Sequence, residues 1–400
     1  MKLKFIIIDR LTRARDNGEY FYRYLQKNHP EVEILFGLHH ESEDWTRLTK
    51  EGFKLIDLDN DEQIKKAVVN CTHFLFSESN IGYSRISKFL DRQKTVFVYL
   101  NHGCYFQKGR VCYSASKFDY MICGNNREYE ATTYNARQKG WPTNIYLLTG
   151  FPRMDEQTIK YRNTKIKNLI IIQPWWRENL TSWKVVESTN KISEEAMTKL
   201  LNSNFVKGFN EVLNSAEFKD ICEKNKLKVV FKRHPVMEHI PGVFKVPAWI
   251  IDEPKESFID LFAKTKVYIT DYSSNAWEVA NLGIPCIYFE PDYANLINNC
   301  NRPESIWNIK EDGIGPVTFN TKDFIAEFKK LVENKFILDK KYLDRRQNQI
   351  AFLNDTNNCQ RCFEVLSKIS KVNIKNASVP HTKNPSDKKI NNKWAPYLYF

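Results

Sequence analysis

The sequence predicts an α/β protein made of two Rossmann-like domains that face a cleft. The chain has 400 residues, which is enough for two domains with sizeable cores. Its first half alternates short apolar strands with helical patterns, as in a parallel sheet covered on both faces. The alternation breaks at Gly150–Arg153 and in the charged stretch that follows, then begins again at Leu169. Ligands of such folds bind outside the carboxyl ends of the strands, so we expect the functional site there.

The first domain is predicted to span residues 1–155. Runs of β-branched and aromatic residues mark its strands, and apolar residues at helical spacing mark its helices. The predicted strands are Leu3–Ile8, Glu33–Phe36, His73–Phe76, Thr95–Leu100, Tyr120–Cys123 and Ile145–Leu148. The predicted helices include Glu19–Lys27, Asp61–Val69, Ser84–Leu90 and Glu128–Arg137.

The second domain is predicted to span residues 156–370, and residues 371–400 are predicted to form a basic and aromatic tail. Gly283 and Pro285 end the helix that begins at Asn275, as a helix stop requires. The predicted strands are Leu169–Ile172, Leu227–Phe231, Lys266–Ile269 and Ile284–Phe289. The helical patterns lie within 194–215, at Asn275–Leu282, at 321–335 and at 341–370.

The composition indicates a folded protein with an acidic partner. Hydrophobic residues make up 42% of the chain, and the formal net charge is +12. The basic positions are dispersed, whereas a nucleic-acid surface would interleave basic and aromatic residues along one face, so we expect no nucleic acid. No apolar run reaches the length of a signal peptide core or a membrane span, which predicts a cytoplasmic protein. The nine cysteines are scattered and Cys359-x-x-Cys362 has no second pair, so free thiols without a metal or cofactor are expected.

A hydroxyl-rich turn, Thr270–Ser274, lies between a buried strand and a helix. The free N–H groups at a helix N-terminus and the helix dipole favour an anion, and serine hydroxyls add donors. The sequence therefore predicts phosphate binding at Ser273 and Ser274. A serine in this place is more often only a helix N-cap, and this stretch alone leaves both roles open.

Three further motifs follow predicted strands. His102 precedes a glycine, where a histidine is well placed for proton transfer at neutral pH or merely bonds the loop backbone. Lys232-Arg233-His234 groups three potential cations, which favours an anion. Arg177 could form two bonds to a phosphate or a carboxylate, whereas packing is the expected role of Trp175 and Trp176.

Together these motifs resemble the CDP-glycerol glycerophosphotransferase family, the polymerases and primases of teichoic acids and of phosphate-containing capsules. The resemblance covers roughly residues 5–370. The motifs that carry it are Ile8-Asp9-Arg10, Arg15–Glu19, Asn101-His102-Gly103, Gly150–Asp155, Pro174–Arg177, Lys232–Pro235, Thr270–Glu278, Asp312–Val317 and Asn354-Asp355. The family pattern differs at Asn101, at Trp175 and at Trp277-Glu278, which leaves the donor less certain than the fold.

The resemblance implies a glycosyltransferase-B architecture whose C-terminal domain holds the donor nucleotide. It implies that His102 is the base for the acceptor hydroxyl, and that His234 with Arg233 binds the donor diphosphate. Ser273 and Ser274 would bind phosphate, and Glu278 would lie near the ribose. Arg177 and Thr270 complete the predicted donor-binding set. Such a site could act on charge and positioning without a metal.

The implied reaction moves a polyol phosphate, glycerol phosphate foremost, from a CDP-linked donor to a hydroxyl of a glycan or lipid-linked acceptor. The acceptor would be a cell-surface polysaccharide or a teichoic-acid-like polymer, and CMP would leave. A glycosyltransferase that uses a CMP- or UDP-activated sugar would need the same kinds of residue and is the alternative. The six lysines and terminal aromatics of the tail predict either docking on the protein itself or binding to an anionic membrane surface.

Overall fold

The computed structural model describes residues 2–78, 82–104, 118–138, 140–177, 180, 192–238, 240–294, 308–350, 352 and 354–371. The described chain divides into two compact units. The first unit contains the residues up to Thr158 together with those from Gln349 onward, and the second unit spans Ile159–Asn348.

The first unit is built on a seven-stranded sheet in which every recorded strand pair is parallel. The strand order is β3-β2-β1-β4-β5-β6-β7, the arrangement of a doubly wound Rossmann-like sheet. Its strands are β1 (Lys4–Ile8), β2 (Glu33–Leu38), β3 (Leu55–Asp57), β4 (His73–Phe76), β5 (Val96–Tyr99), β6 (Tyr120–Cys123) and β7 (Tyr146–Leu148).

Side-chain caps fix where several helices of the first unit begin. The carboxylate of Asp16 accepts from the N–H of Asn17, and Asn60 accepts from the first turn of its own helix. The helices are α1 (Asn17–Asn28), α2 (Glu43–Lys50), α3 (Asp61–Ala67), α4 (Gly82–Ser87), α5 (Asn126–Gln138) and α6 (Arg153–Asn163), and the boundary with the second unit falls within α6, after Thr158. The last helix of the chain, Asn358–Leu366, also belongs to this unit.

The second unit repeats the architecture with a six-stranded parallel sheet in the order β10-β9-β8-β11-β12-β13. Its strands are β8 (Leu169–Gln173), β9 (Lys228–Phe231), β10 (Ile251–Asp252), β11 (Thr265–Thr270), β12 (Cys286–Phe289) and β13 (Val317–Thr318). Its helices are α7 (Glu194–Leu201), α8 (Asn204–Leu213), α9 (Ala216–Lys224), α10 (Pro235–Glu238), α11 (Phe258–Lys264), α12 (Asn275–Asn281), α13 (Ile309–Asp312), α14 (Thr321–Glu333) and α15 (Lys340–Gln349). The helix Asn358–Leu366 is then α16.

Each unit has its own hydrophobic core. Strand residues Phe74 and Phe97 are fully buried in the first unit, and Phe209 of α8 and Phe289 of β12 are fully buried in the second. Full burial of one such side chain stabilises the fold by about 1.5–3 kcal/mol. Two parallel α/β units, each with its own core, confirm the predicted fold class.

The division of the chain differs from the prediction in its second boundary. The second domain was expected to continue to residue 370, but residues from Gln349 belong to the first unit. The carboxylate of Asp155 accepts hydrogen bonds from the N–H groups of Asn358 and Cys359, at 2.9 and 2.8 Å. The Nε–H of Arg361 donates to the carbonyl of Thr149 at 2.9 Å. These bonds fasten α16 to the segment that follows β7.

The charged stretch after Arg153 is also different from the expected connection, because it forms α6. Its buried residues include Arg153, Asp155, Gln157 and Thr158, so polar side chains occupy much of the buried face. A search for apolar periodicity therefore misses the helix. Across the described residues, no helix has the length and hydrophobicity needed to cross a membrane.

Candidate functional site

Three motifs of the second unit come together because they follow neighbouring strands. Strand β8 lies between β9 and β11, and all three run in the same direction. The segments that follow them are 174–177, 232–234 and 271–274. Their common position at the carboxyl edge of one sheet is what the sequence predicts for a ligand site.

His234 lies beside the two tryptophans that follow β8. The centroid of its ring is 6.0 Å from that of Trp175 and 6.0 Å from that of Trp176, with interplanar angles of 78° and 35°. Trp176 is 8% exposed, whereas Trp175 and His234 are half-buried. Two indole rings therefore lie next to the imidazole, and packing of this kind helps to hold a histidine that meets a ligand in a fixed direction.

Arg233 is paired with two acids at the end of the adjacent edge strand β10. Its Nη1 and Nη2 donate to the two carboxylate oxygens of Asp252 at 2.5 and 3.1 Å. Its backbone N–H donates to Glu253, and the ammonium of Lys232 donates to the same carboxylate at 2.6 Å. The cationic motif is therefore held by two carboxylates, those of Asp252 and Glu253.

The turn after β11 begins at a buried threonine and continues into two half-buried serines. Thr270 is fully buried and its hydroxyl donates to the carbonyl of Gln173 at 2.6 Å, so it links β11 to β8. Ser273 and Ser274 are half-buried. Ser274 makes no capping hydrogen bond with its side chain, and Ser273 accepts a long one, 3.3 Å, from the N–H of Asn275. The N-cap role does not account for Ser274.

The structure places Arg177 apart from the exposed edge. Its side chain is 1% exposed, and its guanidinium contacts Asp271 at 2.7 Å and both oxygens of Asp292 at 2.7 and 2.8 Å. Asp271 also accepts from the N–H of Trp175 at 2.7 Å. Arg177 thus connects three strand ends and supports the tryptophan segment. A direct phosphate contact, as predicted for it, would require this buried pairing to open.

Burial dominates the electrostatics around Arg177. Burial raises the pKa of Asp271 above its usual range, and the Arg177 guanidinium counteracts part of that shift. Glu290 is also fully buried, and burial together with the nearby Asp271 charge raises the pKa of its carboxyl well above the usual value. Burial therefore favours the neutral form of the Glu290 carboxyl.

Glu278 lies on α12 and is 4% exposed. Its helix follows the 271–274 turn, which places it near the predicted phosphate residues along the chain. A ribose contact at Glu278 stays a prediction.

In the first unit, His102 follows β5 and is held through its backbone. The preceding Asn101 has a left-handed φ of 63°, and its side-chain oxygen accepts from the N–H of His102 at 2.8 Å. The Asn101 amide donates to Glu128 at 2.9 Å, and Arg153 donates to the carbonyl of His102 at 2.7 Å. Asparagine tolerates the left-handed conformation better than most residues, which explains its place before the histidine.

Burial of His102 favours the neutral form of its imidazole. Burial lowers the pKa of the His102 imidazole below its usual value, and the positive charges of Arg10 and Arg153 add to this. Asp16 and Glu78 act in the opposite direction, and the net shift is downward. A neutral imidazole is the form that can accept a proton.

The other signature residues of the first unit support this position. Asp9 is fully buried and accepts from the N–H groups of Asp16, Gly18 and Glu19 at 2.7–3.0 Å. Asp16 in turn pairs with Arg153 at 2.5 Å. The motifs at 8–10, 15–19, 101–103 and 150–155 are therefore one hydrogen-bonded assembly.

Sequence reasoning missed the acids that organise these motifs. Asp252 and Glu253 depend on the register of β10, a two-residue strand, and Asp292 lies 115 residues from Arg177. The only sequence signal for these acids was that Asp252 and Glu253 form an acidic pair directly after the apolar residues 249–251. Among the described residues, no group of three or more His, Cys, Asp and Glu side chains could hold a metal ion.

Comparison with known proteins then places the chain. A family model described as CDP-Glycerol:Poly(glycerophosphate) glycerophosphotransferase matches residues 3–368. The chain belongs to this family. The match covers both units and every motif described above, in agreement with the resemblance drawn from the sequence.

A curated relative is the minor teichoic acid biosynthesis protein GgaB of Bacillus subtilis strain 168. It is 23% identical over 388 residues, which is 91% of this chain and 40% of GgaB. The chain therefore spans less than half the length of that relative.

Similar solved structures support the fold. The wall teichoic acid polymerase TagF matches with a TM-score of 0.62 and 15% identity, covering 92% of this chain and 89% of that chain. The UDP-GlcNAc 2-epimerase of Neisseria meningitidis, bound to UDP-GlcNAc, matches with a TM-score of 0.54 and 12% identity, covering 92% of this chain and 100% of that chain. At these identities the likeness concerns the fold alone.

Proposed function

We propose that this protein transfers glycerol phosphate from a CDP-linked donor to a hydroxyl of a teichoic-acid-like or capsular acceptor. The acceptor oxygen forms a bond to the glycerol-bearing phosphorus as the bond to CMP breaks. The products are a phosphodiester and CMP. Family membership over residues 3–368 carries this proposal, together with the arrangement of cationic and hydroxyl groups at strand ends.

The donor site is proposed in the second unit. Arg233 and His234 would contact the diphosphate and neutralise the charge that develops on CMP, while Ser273 and Ser274 donate hydrogen bonds to phosphate oxygens. The half-buried Ser274 supports its part, because capping does not occupy its hydroxyl. Solved structures of TagF include one of a histidine variant soaked with CDPG, which agrees with this class of donor.

His102 is proposed as the base of the first unit. Its lowered pKa keeps the imidazole neutral near pH 7, so it can accept the proton of the acceptor hydroxyl. Arg153 donates a hydrogen bond to the backbone carbonyl of His102 and thereby fixes the backbone from which the imidazole extends. We also propose that the protein has a glycosyltransferase-B arrangement and a cytoplasmic location, and that its tail attaches to an anionic membrane.

Titration of CDP into the purified protein tests the donor site. Removing a charge-assisted contact should cost on the order of 1.5–3 kcal/mol, so Arg233→Ala and Ser274→Ala should weaken CDP binding by roughly 10- to 150-fold. Lys329→Ala, at an exposed position of α14, is the control and should bind as the wild type does. Unchanged affinity in both site variants would overturn the assignment.

A further inference from the structure

The segment that carries Arg233 and His234 is held by two acids that do not belong to any of the sequence motifs. Strand β10 pairs in parallel with β9, with Asp252 opposite Phe231. Residues after β10 therefore lie beside residues after β9. Asp252 and Glu253 reach the cationic motif from this neighbouring strand end.

Glu253 contacts the segment at three points. Its carboxylate accepts from the backbone N–H of Arg233, from the Lys232 ammonium at 2.6 Å, and from the Arg233 guanidinium at 3.3 Å. Its own N–H donates to the carbonyl of Phe231 at 3.0 Å. The bond to a backbone N–H distinguishes Glu253 from a simple counterion, because it fixes the path of the main chain just before His234.

The backbone of Glu253 is strained. Its φ is 44°, in the left-handed region that glycine adopts readily and other residues rarely do. Strained residues persist where the surrounding structure holds them, and they are concentrated at ligand-binding and catalytic sites. A glycine would satisfy this turn without strain, so the presence of a glutamate indicates that its side chain is needed.

Asp252 makes a different kind of contact. It bonds only the tips of the Arg233 guanidinium, at 2.5 and 3.1 Å, and its side chain is 45% exposed. A phosphate group binds the same two donors with the same geometry as a carboxylate. Asp252 therefore occupies the position that a phosphate of the ligand would take.

We propose that Glu253 is a positioning residue of the donor site, and that Asp252 holds the Arg233 guanidinium until a nucleoside diphosphate displaces it. This inference rests on the proposed function. It predicts that two adjacent acids have opposite effects on donor affinity: loss of Glu253 weakens binding, and loss of the Asp252 charge strengthens it.

The test compares CDP affinity in four variants with that of the wild type. Glu253→Gly should weaken binding at least tenfold and raise the donor KM, with the acceptor KM unchanged. Glu253→Gln keeps an oxygen for the Arg233 N–H and should lose less. Asp252→Asn should bind CDP two- to tenfold more tightly. Lys226→Gly, at an exposed residue with φ of 54°, relieves strain in the same unit away from the motif and should bind as the wild type does.

Unfolding midpoints of the same proteins separate positioning from folding. Glycine relieves strain at position 253, which offsets the lost side-chain bonds, so the midpoint of Glu253→Gly should stay within a few degrees of the wild type. Wild-type affinity in both Glu253 variants, or equal weakening by Glu253→Gly and Asp252→Asn, overturns the inference. If Arg233→Ala loses CDP while Glu253→Gly keeps it, the proposed function stands and this inference alone fails. If the wild type itself does not bind CDP, both fail.

Discussion

His102 and His234 both follow a parallel strand, but their surroundings differ in kind. Charged groups surround His102: Asp16, Glu78, Arg10 and Arg153 all influence its pKa. His234 lies instead against the rings of Trp175 and Trp176. The surroundings of His102 adjust the proton affinity of its imidazole, and the rings beside His234 help to orient its imidazole. This difference supports separate roles, proton acceptance by the first histidine and ligand contact by the second.

His102→Ala should lose turnover about 100- to 10,000-fold and keep its affinity for CDP, because a general base acts on the acceptor. Protonation removes the base, and burial lowers its pKa. In the wild type, activity should therefore fall as the pH drops through a value below 6.5, the ordinary pKa of histidine. A pH series of kcat checks this, with the exposed His40→Ala as the control. Near-normal turnover of His102→Ala would assign the proton to another group.

Arg177→Ala should unfold far more easily than the wild type. The change leaves Asp271 and Asp292 buried without their cation, which typically costs about 3–5 kcal/mol. Denaturant unfolding measures the loss, and Lys329→Ala at an exposed position of α14 should change the free energy of unfolding by less than about 0.5 kcal/mol. An Arg177→Ala protein of wild-type stability that loses CDP affinity would instead restore Arg177 as a phosphate ligand.

Among the β-strands, the sequence predicts the central ones well and misses most of those at the sheet edges. The predicted bounds of β4 and β6 agree with the structure residue for residue, since buried parallel strands are continuous apolar runs. Strands β3, β10 and β13 have two or three residues each, too few for a pattern, and went unpredicted. The strand-end motifs were predictable because sheet topology groups them. Their acidic partners depend on strand register and on residues far apart in the chain, which no local pattern encodes.

Helix α16 provides a test of how the Gly150–Asp155 motif works. Gly150 has a φ of 77°, and a Cβ there would lie 1.9 Å from the side-chain oxygen of Asn358. Gly140 has a φ of 66° with nothing within 4 Å of such a Cβ. Both alanine variants carry the left-handed penalty of about 1–2 kcal/mol, but only Gly150→Ala must also displace α16.

We therefore expect Gly150→Ala to be less stable than Gly140→Ala by about 1–3 kcal/mol, the usual range for overpacking. Thermal unfolding of the two variants measures this difference. Equal stability of both would mean that α16 does not press on the motif.

The chain returns to its first unit after it completes the second. Lys371, the last described residue, pairs with Asp119 of the first unit at 2.6 Å. Residues 372–400, where most of the predicted basic and aromatic tail falls, lie outside the described residues. The membrane role of the tail stays a prediction from its composition.

Deleting residues 372–400 should abolish salt-sensitive binding to anionic vesicles and leave activity on a soluble acceptor analogue intact. Basic residues near an anionic surface contribute roughly 1 kcal/mol each, and the deleted segment contains Lys375, Lys383, Lys388, Lys389 and Lys393. Vesicle co-sedimentation checks this, with neutral vesicles and a full-length variant carrying glutamine at these five positions as controls. Equal binding by the truncated and full-length proteins would exclude the tail as the anchor.

The proposed reaction is a phosphoryl transfer, and the phosphodiester that it forms distinguishes it from glycosyl transfer. The most direct measurement incubates the protein with an acceptor and a panel of CDP-polyols and CMP- or UDP-activated sugars, then identifies both the released nucleotide and the new bond. We expect CDP-glycerol to yield CMP and a new phosphodiester that carries glycerol. Turnover of a nucleotide sugar with formation of a glycosidic bond, and none with CDP-polyols, would contradict it.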